Sequence, residues 1–170
     1  HKLTTYPRTD SRFLPTDMKD TIDTTLSNLG QLDDMSGFID SLTKNGMQNV
    51  ARNFNDAKVS DHFAIIPTGK LPTTGLSKDE QRLYNMIVRN FIASWYGEAV
   101  IEKQKRTADL GGEIFNKEAQ QYTTLGWREV VTKKLSHPEG WGTLSTESPL
   151  ASISSHEWNE EKSKPPTRIK

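Results

Sequence analysis

Cysteine is missing from all 170 residues, which excludes a disulfide framework, a thiolate nucleophile and a thiolate metal site. That absence fits an intracellular protein. Histidine is scarce: the four copies, His1, His62, His137 and His156, show no metal-ligand spacing. No apolar run approaches the ~20 residues that span a bilayer, and the N-terminus has neither the basic nor the apolar region of a signal peptide, so no membrane partner is expected. Neither sign of charge is in excess, with 22 Lys+Arg against 22 Asp+Glu. No global positive field marks a nucleic-acid partner, and DNA binding would need local placement of Arg and Lys. Apolar side chains are sparse too. A hydrophobic fraction of 33% and a mean hydropathy of -0.71 suit thin elements, or a piece of a larger assembly, better than one large core.

What is present divides into two characters. Met18, Ile22 and Leu26 recur at four-residue spacing up to Gly30, and Met35, Phe38, Ile39 and Leu42 share a face between Asp33 and Gly46, so two short amphipathic helices are predicted. "KVSDHFAIIPTGKLPTTG", from Lys58, is a short apolar run bounded by prolines and glycines and reads as an extended segment leading into a loop. Ser77 and Glu80 form a capping-box signature ahead of Leu83, Tyr84, Ile87, Val88, Phe91, Ile92 and Trp95, a broad helical stripe that predicts a core helix over 77–96. After Gly97 short apolar positions such as Val100, Ile114, Tyr122, Trp127 and Val130 sit among polar residues, with "DLGGE" and "TLGW" as turns, and β-structure is expected. The tail "SSHEWNEEKSKPPTRIK" reads as a connector.

The chemistry concentrates at the start, in "LTTYPRTDSRFLP", Leu3 to Pro15. A phenol with an ordinary pKa near ~10 is a weak nucleophile at neutral pH, but it can attack phosphorus if a cation stabilises the developing charge. Pro7 biases Tyr6 towards extended backbone, where residues i and i+2 face the same side, so Arg8 is expected beside the Tyr6 hydroxyl. Arginine suits that place because its planar fork donates two parallel hydrogen bonds to a phosphate. Taken alone, Tyr-Pro-Arg reads as an extended surface tripeptide, and Thr9, Asp10 and Ser11 are ordinary turn and cap residues.

The length of the match decides between these readings. "TTYPRTDSRFLP" closely resembles the active-site signature of type IA DNA topoisomerases, in the form most like the bacterial topoisomerase III branch. "SDHFAIIPTG", Ser60 to Gly69, is similar to the same family's His-x-Ala-Ile-x-Pro-Thr segment. "LYNMIVRNFIASW", "IFNKEAQQYTTLGWREV" and "KPPTRIK" are similar to later family elements. The match weakens between roughly Thr16 and Lys58 and from Lys133 to Asn159.

The resemblance implies that Tyr6 attacks a single-stranded DNA phosphate and holds the 5′ end as a phosphotyrosine, that Arg8 binds and neutralises that phosphate, and that His62 contacts DNA phosphate. Whether His62 also donates a proton stays open, and Asp10, Ser11 and Arg12 are possible supporting residues. The implied parent is an ATP-independent isomerase that breaks, passes and rejoins single DNA strands, changing DNA topology, in the bacterial cytoplasm and nucleoid. The implied fold is α+β: a mostly helical tyrosine-bearing domain, 1–97, joined to a β-rich hinge or arch, 98–160, of a toroidal enzyme, with 161–170 as connector to the next domain. The family also uses Mg²⁺ bound by a Toprim domain, which these residues do not contain. The chain is therefore expected to be a fragment, inactive alone because phosphoryl transfer depends on positioning and charge stabilisation. The competing reading is a non-catalytic single-stranded DNA-binding or architectural module of the same fold.

Overall fold

The computed structural model describes residues 1–73, 75–132 and 152–165, with side chains in 152–159 excepted. Among the described residues two compact units result, the first built from 1–73, 75–97, 127–132 and 165, the second from 98–126 and 152–164. Among the described residues there are five α-helices and three strands, an α+β composition as expected.

In the first unit, helix α1 (Lys19–Leu29) buries Ile22, Leu26 and Leu29, and helix α2 (Asp33–Asn45) buries Met35, Ile39 and Leu42. Gly30 ends α1 in ordinary right-handed conformation. A Cβ there would lie 3.4 Å from Ile39 Cγ2, so this glycine serves close helix packing. After the short helix α3 (Val50–Asn53), the expected capping box opens helix α4 (Lys78–Ala93), with the Ser77 N–H donating to Glu80 Oε2 at 2.8 Å and the Glu80 N–H to Ser77 Oγ at 3.3 Å. Tyr84, Ile87, Val88, Phe91 and Ile92 face the core, followed by Trp95 and Tyr96. Leu83 departs from the predicted stripe and is 55% exposed. Each fully buried large side chain in this set removes enough apolar surface to contribute ~1.5–3 kcal/mol, so α4 organises the core.

The second unit is an antiparallel sheet of strands β1 (Ala99–Leu110), β2 (Glu113–Thr124) and β3 (Ser152–Ser163), in the order β2-β1-β3. The predicted "DLGGE" turn joins β1 to β2 through Gly111 and Gly112, both at positive φ (63° and 91°), the backbone that a two-residue hairpin turn requires. Asp109 Oδ1 accepts from the Gly112 N–H at 2.8 Å. Apart from Ala119, Gln121 and Tyr122, β2 is exposed along its length, in keeping with its polar sequence.

Two expectations are corrected. Trp127 to Val131 is not β: Arg128–Val131 forms helix α5, Val130 is fully buried, and the Arg89 guanidinium donates to its carbonyl at 2.7 Å. The backbone N–H of Trp127 donates to Gly97 O at 3.0 Å, so this stretch rejoins the first unit. The tail is not connector up to Ser163, because β3 pairs along β1 from Ser163 opposite Ala99; backbone pairing needs no apolar sequence. His137, the side chain of His156 and residues 166–170 of the expected connector lie outside the described residues.

Candidate active site

The opening stretch is held by pairing across more than fifty residues of sequence. Thr4 bridges Pro67, the Thr5 N–H donates to Ile66 O at 2.9 Å, and the Thr68 N–H to Leu3 O at 3.0 Å. The Thr5 hydroxyl doubles that link, donating to Ala64 O at 3.3 Å and accepting from the Ile66 N–H at 3.0 Å. Beyond the tyrosine, the Ala64 N–H donates to Phe13 O at 3.0 Å. Both ends of residues 6–12 thus close on one residue, Ala64, and the stretch between them is a compact loop. Leu14 then sinks completely into the core and exchanges backbone hydrogen bonds with Asn53 and Asn55.

Hydroxyls fix the loop's interior. Thr9 Oγ1 donates to the His62 carbonyl at 2.9 Å and accepts from the Ser11 N–H at 3.0 Å. Ser11 is buried, its Oγ donating to Lys58 O at 2.7 Å and accepting from the Phe13 N–H at 3.1 Å. Ser60 Oγ reaches Asp10 Oδ1 at 3.4 Å. Just past the loop, the Thr16 N–H and hydroxyl both donate to the Asp56 carboxylate, at 2.7 Å each. Those bonds, helped by Lys19, hold the Asp56 carboxyl below its ordinary value, since they favour the charged form.

Tyr6 is 60% exposed, and its ring lies against that of His62 with centroids 4.9 Å apart and planes tilted by 45°. The structure therefore brings together the two residues that were 56 positions apart in sequence. Arg8 is exposed and forms no hydrogen bond with Tyr6 or any other described residue. Asp10 is exposed at the loop edge, and Arg12 stacks its guanidinium over Phe13 at 5.1 Å. Lys58 Nζ lies over the same ring at 5.3 Å, a second cation that sequence reading did not select. Thr5 and Thr9 were passed over too, because their partners are distant in sequence and nothing local distinguishes a structural hydroxyl from a turn residue.

An exposed phenol stacked on an imidazole, with guanidinium and ammonium groups on the same and the facing segment, is suited to binding and attacking a phosphodiester. Among the described residues no three His, Cys, Asp or Glu side chains gather into a metal site.

A profile for DNA topoisomerase matches residues 1–170. The chain belongs to the DNA topoisomerase family. Within it the chain is a type IA member of the topoisomerase III-like kind. It is 38% identical over 131 residues to the DNA topoisomerase 3 of Bacillus subtilis, covering 76% of this chain and 18% of the relative. The corresponding Bacillus licheniformis protein is 39% identical over 131 residues, with the same coverage. That of Haemophilus influenzae is 31% identical over 134 residues, covering 79% of this chain and 20% of the relative. This topoisomerase chain thus spans about a fifth of the length of these relatives. No helix among its described residues is long and apolar enough to cross a membrane.

Proposed function

We propose that this chain carries the strand-cleaving tyrosine of a topoisomerase that breaks, passes and rejoins single DNA strands. The Tyr6 oxygen attacks a backbone phosphorus, so that a P–O bond to tyrosine forms while the P–O3′ bond breaks. The phenol proton is given up and the leaving 3′ oxygen takes one, ending as a hydroxyl. The 5′ phosphate stays on Tyr6 until the 3′ hydroxyl reverses the exchange. Conserving the phosphodiester energy in this way needs no ATP. Arg8, carrying a permanent charge and no partner among the described residues, would bind the phosphate being attacked. His62 would hold the Tyr6 ring and contact the same phosphate from the facing segment.

The observation that carries this reading is the 4.9 Å contact between the Tyr6 and His62 rings, which unites two separate family motifs at an exposed surface. Mg²⁺ would be held by residues outside this chain, as would the rest of the site, and the 170-residue chain alone is expected to leave DNA uncut. The test uses the full-length protein with Mg²⁺ and a labelled single-stranded oligonucleotide on a denaturing gel. A protein adduct on the 5′ phosphate end created by the break is expected, absent in Tyr6→Phe. An adduct that persists in the Phe variant would remove Tyr6 from the reaction. Adduct formation by the isolated chain would overturn the reliance on outside residues.

A further inference from the structure

Between the tyrosine and the histidine sits one hydroxyl that neither motif assigns a task. Thr9 Oγ1 donates to the carbonyl of His62 itself, at 2.9 Å, across 53 residues of sequence, and accepts from the Ser11 N–H at 3.0 Å. Its bonding capacity as donor and acceptor is therefore used within the protein, once towards the histidine and once towards its own loop. Thr5 and Ser11 make comparable bridges, but to Ala64, Ile66 and Lys58, which are backbone groups flanking the histidine at a distance of at least two residues. Among these hydroxyls only Thr9 touches His62. The other bonds between the loop and the facing segment join Thr5 and Phe13 to Ala64 and Ile66, Ser11 to Lys58 and Asp10 to Ser60, and none of them reaches His62. The ring contact is a tilted stack without a hydrogen bond between the two side chains, so it has little directional force of its own and depends on how the two backbones are held.

We propose that Thr9 is the positioning residue that sets the Tyr6–His62 pair, acting through the His62 backbone rather than on the DNA. The inference rests on the reading of Tyr6 and His62 given above for its consequence in catalysis, while its geometric content can be measured without any reaction. Thr9→Val keeps the shape and removes the hydroxyl; Thr9→Ser keeps the hydroxyl.

In the full-length protein, NMR of the His62 imidazole C–H protons reports the Tyr6 ring current, with Tyr6→Ala as the zero. Thr9→Val is expected to move these signals at least half-way to their Tyr6→Ala positions, and Thr9→Ser to leave them near wild type. Single-turnover oligonucleotide cleavage is expected to slow about tenfold in Thr9→Val, with binding changed less than about twofold, and to be restored in Thr9→Ser. The Thr9→Val/His62→Ala double variant should be no slower than His62→Ala alone. Unmoved His62 signals in Thr9→Val overturn the proposal whatever the adduct assay on Tyr6→Phe gives. Additive loss in the double variant overturns it as well, since a purely structural threonine would act independently of His62.

Discussion

Leu14 offers the sharpest test of how the tyrosine loop is anchored. It is the last residue of the opening motif to be held, it is fully buried, and it belongs to the main core cluster. Truncation to alanine removes a whole buried side chain and leaves a cavity that rigid neighbours fill only in part, a combination that costs ~2.7–5 kcal/mol. Leu83 is the matched control, the same side chain on the same unit but 55% exposed. Less than half of its surface leaves water and no enclosed cavity results, so its truncation is expected to cost no more than ~1 kcal/mol. The helices longer than four residues all lie in the first unit among the described residues, and thermal loss of the 222 nm circular dichroism signal therefore reports that unit. For a domain of this size ~4–8 °C accompany each kcal/mol, which puts Leu14→Ala lower by at least ~10 °C and Leu83→Ala by only a few degrees. Similar shifts in the two variants would mean that the motif's end is not seated in the core, and the loop geometry built on that anchor would have to be abandoned.

Asp56 gives a pH-dependent case. Its carboxyl is held below the ordinary 3.8, chiefly by the Thr16 backbone and side-chain bonds, so its contribution to stability is present above about pH 4 and fades as acid protonates it in the folded state. Asp56→Asn should lower the melting temperature at neutral pH and converge with the wild type in strong acid; a constant difference across the titration would refute the assignment. Gly69, in the segment facing the tyrosine loop, has φ at +76° and would place a Cβ 3.3 Å from the Thr25 Cα. Gly69→Ala should cost at least ~1–2 kcal/mol in urea unfolding, and a neutral result would refute the left-handed backbone there.

Much of the framework was legible because it is local. The Ser77–Glu80 box, the α4 stripe apart from Leu83, and the Gly111–Gly112 turn are each written within a short run of sequence, and each appears where expected. The failures share a different cause. Val130 looked like one apolar position in a polar strand, but its burial is decided by Arg89 and α4, some forty residues earlier. The tail looked like a connector because its composition is polar, yet strand pairing with β1 uses backbone groups that any residue supplies. At the site, Tyr6 and His62 were legible by resemblance, whereas Thr5, Thr9 and Lys58 were not, because a hydroxyl or an ammonium shows its role only when its distant partner is known.

The site separates two kinds of side chain. Thr5, Thr9 and Ser11 spend their hydrogen-bonding capacity on backbone groups of the facing segment. Tyr6 and Arg8 spend none within the described protein, and Tyr6 keeps only a ring contact with His62. A phenol, a guanidinium and an imidazole left exposed beside so many satisfied hydroxyls would be an unproductive use of a core-anchored loop if the segment served only to cover the first unit. A phosphodiester supplies the acceptor oxygens that Arg8 lacks and the electrophile that the phenol needs. The division of labour also accounts for the length of the sequence motif. The residues that would meet DNA occupy few positions, but the loop that presents them needs hydroxyls at fixed places between them. Changing a hydroxyl should therefore disturb the geometry of the pair before it disturbs the affinity for DNA, whereas changing Arg8 should do the reverse.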